Sequence, residues 1–82
     1  MTTTPRPRVS KLQRRILIRI ADGWFLTSDG VATCWLQSSD GPVFTTEDVS
    51  MLTAERLVLR NLVHPAGHLL PDGWLAIGRQ QP

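Results

Sequence analysis

Thr53 to Gly73, TAERLVLRNLVHPAGHLLPDG, is the stretch from which a fold can be read. Ala54, Leu57, Val58 and Asn61 recur at i, i+3, i+4 and i+7, the spacing that gathers side chains on one face of a helix. Thr53 is its expected N-cap, because a threonine hydroxyl can accept a hydrogen bond from an orphan N–H of the first turn. A helix from Thr53 to about Leu62 turns Glu55, Arg56, Leu59 and Arg60 away from that face, towards solvent or a partner. Leu62-Val63 and His68-Leu69-Leu70 flank Pro65-Ala66-Gly67, whose proline and glycine suit a short hairpin. Pro71-Asp72-Gly73 turns the chain once more.

Read as one pattern, T-x-x-x-L-x-x-x-x-L-V, a short loop and then L-x-P-x-G resembles the third helix and wing of the winged helix-turn-helix superfamily. That resemblance implies a small α+β domain in which the helix from Thr53 is the recognition helix and the hairpin is the wing. It further implies that Arg56 and Arg60 reach double-stranded DNA. The chain departs from the pattern at the wing tip, Pro65-Ala66-Gly67, which has no Lys or Arg where a DNA-reading wing often has one. It departs again at Leu70, where the family often has Thr or Ser to cap the following turn.

Upstream, Thr45-x-x-Asp48 resembles a capping box and predicts a short second helix to about Met51. On one continuous wheel the apolar residues from Val49 to Leu59 scatter all round, so a break is expected near Leu52, which makes a helix-turn-helix. Pro42-Val43-Phe44 reads as a short edge strand after the turn Ser38-Ser39-Asp40-Gly41. Trp24 to Ser28 and Val31 to Leu36 are rich in β-formers and joined by Asp29-Gly30, a strong hairpin signal. With those two residues as the whole loop, Ser28 pairs with Val31, Phe25 with Cys34, and Trp24 with Trp35. The two tryptophans would then make an apolar patch on one face, a candidate partner or homodimer site.

The first helix is expected from Ser10 to Asp22-Gly23, with Ser10 as N-cap, Val9 as staple and Leu12, Ile16 and Ile20 continuing the apolar stripe. Lys11, Arg14, Arg15 and Arg19 fan over the opposite face with Ile18 among them, a basic surface with an apolar centre. Residues 1–8 form a basic arm carrying Arg6 and Arg8, residues 9–79 one domain, and residues 80–82 a frayed tail. Trp74 to Ile77 fits a strand by local propensity and a helical turn by the family likeness.

Eighty-two residues make one small core, which buries about 60% of the unfolded chain's surface. The net charge of +2 conceals an asymmetry, since Arg6, Arg8, Lys11, Arg14, Arg15 and Arg19 all precede the first acid, Asp22. One cysteine, Cys34, cannot form an intramolecular disulfide, and no apolar run approaches the ~20 residues that span a bilayer. The chain therefore reads as cytoplasmic, with no membrane association. A phosphate-binding glycine loop, HExxH, CxxC and a nucleophile elbow are all lacking, so the reading is a non-enzymatic protein without cofactor or metal. His64 and His68 are separated by Pro65 and Gly67, which rule out a helical metal pair.

Two functions fit these residues. In the first, a DNA-binding regulator, Arg56 and Arg60 lie in the major groove while Arg6, Arg8, Lys11, Arg14 and Arg15 contact phosphates. In the second, a protein-interaction module (an adaptor or inhibitor), the chain docks through Ile18, Trp24 and Trp35. Acids at the expected helix starts, Glu47, Asp48 and Glu55, oppose phosphate binding there.

Overall fold

A computed structural model describes residues 7–30, 33–38 and 46–80. The order is α1 (Lys11–Ala21), β1 (Phe25–Ser28), β2 (Cys34–Gln37), β3 (Thr46–Val49), α2 (Met51–Leu59) and α3 (Pro71–Ala76). The fold is thus a small α+β domain with an antiparallel meander, ordered β1-β2-β3, between the first two helices.

Local chemistry sets the helix ends. Ser10 Oγ accepts from Gln13 N–H and Gln13 Oε1 accepts from Ser10 N–H, a reciprocal capping box that satisfies two orphan donors of α1. At the other end Gly23, at φ 106°, lets its own N–H reach Ile20 O and lets Trp24 N–H reach Arg19 O, a Schellman closure. Asn61 does the same for α2 at φ 57°, with Asn61 N–H on Val58 O and Leu62 N–H on Leu57 O. Asparagine tolerates this left-handed geometry better than most residues, so α2 stops at Leu59, short of the expected Leu62. Asn61 is an exposed cap residue and not part of the buried stripe.

Two expectations are corrected around β3. Thr46–Val49 is a strand paired with β2, so the helix predicted from Thr45 is absent from these residues. The helix-turn-helix read around Leu52 is not formed, because α2 runs unbroken from Met51 with Ser50 as its N-cap and Thr53 inside it. Pairing and charge explain the preference. Val49 lies opposite Cys34 and Glu47 opposite Leu36, which puts both on the core face, where Glu47 meets two arginines of α1. Thr45 and the strand read at Pro42-Val43-Phe44 lie outside the described residues.

The β1–β2 register is also corrected. Ser28 pairs with Cys34, Thr27 with Trp35, Leu26 with Leu36, and Phe25 with Gln37, so Trp24 and Trp35 are not cross-strand partners. A wider loop produces this register. Asp29 N–H donates to Thr33 O, and the Asp29 carboxylate accepts from Thr33 N–H at 3.1 Å and Thr33 Oγ1 at 2.6 Å. Ser28 therefore finds its partner three residues later than Val31, and an odd shift exchanges the two faces of the strand. Leu26, Cys34 and Leu36 enter the core, while Trp35 and Phe25 lie on the outer face.

Leu17, Leu36, Leu57, Leu62 and Val63 are the largest fully buried side chains, one or more from α1, β2, α2 and the segment after it. Burial of each contributes about 1.5–3 kcal/mol. On α1 the buried stripe is Ile16, Leu17 and Ile20, whereas Leu12 is 53% exposed. The hairpin after α2 is present as expected. Val63 bridges Leu69, His64 N–H donates to His68 O, and Gly67 N–H donates to His64 O. Trp74 to Ala76 is helical and Ile77 is its C-cap, which settles a segment the sequence left open. Leu70 is the N-cap of α3 with no side-chain bond, in keeping with its departure from the Thr or Ser pattern.

Candidate functional site

Two grooved surfaces stand out among the described residues. The first is α1's outward face, where Lys11, Arg14, Arg15, Ile18, Arg19 and Asp22 line a shallow groove. It is less basic than its sequence. Glu47 of β3 holds Arg15 at 2.7 Å and approaches Arg19 at 3.6 Å, whereas Arg79, pairing with Asp22 at 2.7 Å, offsets the one acid that lines the groove. Lys11 and Arg14 have no ion-pair partner among the described residues. Ile18 is half-buried against the core, and Arg19 lies 4.9 Å above the Trp24 ring, a cation–π contact. Trp24 is half-buried under that arginine, and Trp35 is half-exposed on the outer sheet face with its indole N–H on Gln37 Oε1. Ile18 and Trp24 thus stand on the α1 side of the molecule and Trp35 on the opposite face of the sheet.

Arg60 is drawn back to the start of α1. Its guanidinium donates to the carbonyl oxygen of Arg8 and to Gln13 Oε1 at 3.3 Å. These acceptors are neutral, so Arg60 keeps its charge and adds it to that of Arg8 at this end of the domain. Arg56 is exposed in the last turn of α2. Arg6 lies outside the described residues.

The second surface was anticipated only through Glu55 and Leu59 on the outward helix face, not as a groove. The hairpin end of the sheet, α2 and the turn at His64-Pro65 enclose an open groove of about 450 Å³. Its walls are mainly apolar: Leu26 and Cys34 from the sheet, Met51, Ala54, Val58 and Leu59 from α2. Cys34 Sγ lies 2.8 Å from Met51 Sδ at its floor. Glu55 is the one lining residue with a carboxylate, and Asp29 follows Ser28 at the sheet end. Leu59, in the groove's wall, is 81% exposed, and Leu52, seven residues earlier on α2 and outside the lining, is 54% exposed. Leu59 stood in the sequence on the helix face opposite the stripe; the missing signal was the β1–β2 register, which brings Leu26 and Cys34 opposite α2.

His64 and His68 stack with ring centroids 4.6 Å apart, and His64 Nδ1 accepts from Ala66 N–H. No group of three or more His, Cys, Asp or Glu able to hold a metal occurs among the described residues. No described helix is long and apolar enough to cross a membrane. The chain matches no protein-family model, no curated protein and no solved structure.

Proposed function

We propose that this chain is a non-enzymatic protein-interaction module, an adaptor or inhibitor, on a winged-helix-like scaffold that docks its partner through α2. The supporting observation is the pair of exposed leucines, Leu52 and Leu59, on the helix that also walls the apolar groove. Contiguous exposed apolar surface on a small domain marks an interaction site more often than scattered single residues do. The α2–hairpin sequence, with its Val63–Leu69 bridge, supports the winged-helix likeness, although β3 stands where a helix-turn-helix has its second helix. On this reading α2 corresponds to the recognition helix and carries Leu, not only Arg, to the partner.

A second reading, a DNA-binding transcriptional regulator, is favoured by Arg8, Lys11, Arg14, Arg56 and Arg60, whose charges are not neutralised by any carboxylate among the described residues. It assigns phosphate contacts to α1 and weakens the base-reading role of Arg60, which is engaged with Arg8 and Gln13.

One comparison separates the two. Wild type, a Leu52→Asp/Leu59→Asp double variant and a Lys11→Glu/Arg14→Glu double variant are compared in duplex-DNA titration at two salt concentrations and in quantified cross-linking from cell lysate. The protein reading expects a specific cross-linked species that the leucine variant loses and the charge variant keeps. Loss of tight, strongly salt-dependent DNA binding in the charge variant, with no leucine-dependent species, transfers the assignment to DNA.

A further inference from the structure

We infer that the free edge of β3 receives an extended segment of a partner protein as a fourth strand, with a carboxylate of that segment seated against Arg15 and Arg19 of α1. The inference goes beyond the α2 reading and is independent of it, because none of its residues belongs to α2.

The two edges of the sheet differ, and that difference carries the first part. At the β1 edge the Leu26 N–H donates to Gly67 O at 3.2 Å, so the hairpin covers it. β3 lies at the other end of the order β1-β2-β3, and among the described residues β2 is its one neighbour. One side of its backbone therefore presents N–H and C=O groups that no described residue engages, the arrangement that lets an extended chain add to a sheet. Thr46 and Asp48 are exposed along this strand. A helix spends its main-chain groups on itself and a DNA duplex has no amides, so the occupant that these groups select is an extended polypeptide.

Charge supplies the second part. Leu12, Arg15 and Arg19 recur at i, i+3 and i+7, so they share one flank of α1, and the ion pairs to Glu47 at 2.7 and 3.6 Å set that flank beside β3. Two guanidiniums there meet a single carboxylate, which leaves the α1 side of the edge positive. The Arg15 side chain is 60% exposed, and a guanidinium has more N–H donors than one carboxylate takes up, so Arg15 can grip a second. Leu12, 53% exposed, adds an apolar contact on the same flank. Side chains of an added strand alternate between faces, so the residues flanking its carboxylate lie over Asp48, where a further acid would meet like charge. A second copy of β3 fits poorly, because antiparallel pairing centred on Glu47 or on Asp48 sets that acid against itself.

The test uses the full chain, labelled with ¹⁵N, and synthetic extended peptides of about eight residues, within the usual length of a strand. Two share a Thr/Val frame and differ at alternate positions, with Glu in one and Lys in the other. Two more carry the Glu sequence with N-methyl groups on one or the other alternate set of amides. The Glu peptide is expected to bind at least about tenfold tighter than the Lys peptide, with amide shifts at Thr46 to Val49, Arg15 and Arg19. Methylation of one set should abolish binding and methylation of the other should leave it, since alternate amides of a strand point to opposite edges. Arg15→Glu should remove the preference for Glu, and the Leu52→Asp/Leu59→Asp variant should bind the Glu peptide as wild type does. No binding up to about 1 mM, equal binding of the Glu and Lys peptides, or an equal effect of the two methylations overturns the inference. So do shifts confined to α1, pairing of β3 with a second copy as concentration rises, or a short DNA duplex that shifts the β3 and α1 residues when the peptides do not.

Discussion

Gly67 provides a sharp test of how the hairpin holds the sheet. Its φ is +103°, in the left-handed region, and a Cβ placed on it would overlap the carbonyl oxygen of Leu26. Its own carbonyl accepts the Leu26 N–H at 3.2 Å, so the hairpin tip is seated on the outer edge of β1. Gly67→Ala therefore carries two costs. The left-handed conformation costs an alanine about 1–2 kcal/mol. Relief of the overlap requires β1 to withdraw, which loses the Leu26–Gly67 hydrogen bond, about 1 kcal/mol. It also loosens the buried Leu26, whose full truncation would fall in the 2–5 kcal/mol range. The sum is about 4 kcal/mol, against a total stability of about 4–12 kcal/mol for a domain of this size. Urea or thermal unfolding followed by circular dichroism should show a fall in Tm of about 15–30 °C. Gly30→Ala is the control. Gly30 has φ +79° but open space around its Cβ position, so only the conformational cost of about 1–2 kcal/mol applies. Equal destabilisation by the two substitutions would refute the close approach of hairpin and strand.

Leu57 is fully buried, and Leu57→Ala should destabilise by about 2–5 kcal/mol in the same unfolding assay. Leu59→Ala, by contrast, should change stability by less than about 0.5 kcal/mol, because the side chain is 81% exposed, while it weakens binding in the cross-linking assay. Glu47→Gln should alter stability by less than about 1 kcal/mol, since Arg15 is largely solvated. The same substitution releases Arg15 and Arg19, so any duplex-DNA affinity should rise, with a salt slope steeper by about 0.9 for each new phosphate contact.

The parts of this fold written in short-range chemistry were legible in the sequence. Ser10 and Gly23 bracket α1 by capping, and the Pro65-Ala66-Gly67 turn follows from residues that prefer turns. The parts decided by distant partners were not. Thr45-x-x-Asp48 has the form of a capping box, yet Glu47 finds Arg15 and Arg19, and Val49 finds Cys34, only if Thr46–Val49 is extended. Asp29-Gly30 signals a tight turn, yet the Asp29 carboxylate closes a wider loop on Thr33. That one local choice exchanged the sheet faces, separated Trp24 from Trp35 and lined the groove with Leu26 and Cys34. The basic face of α1 was foreseen in its residues, but its partial neutralisation depended on the β2–β3 pairing that brings Glu47 to Arg15 and Arg19.

Gln13 Oε1 has a consequence for motion. One oxygen accepts both the Ser10 amide of the capping box and a guanidinium proton of Arg60. The first turn of α1 and the C-terminal end of α2 therefore share an acceptor across 47 residues of chain. Fraying of that turn cannot proceed without loosening Arg60, and release of Arg60 frees the Arg8 carbonyl at the same time. The start of α1 should accordingly open as one cooperative unit with the end of α2, and Arg60→Ala should speed amide exchange at Ser10 as well as beside the mutation.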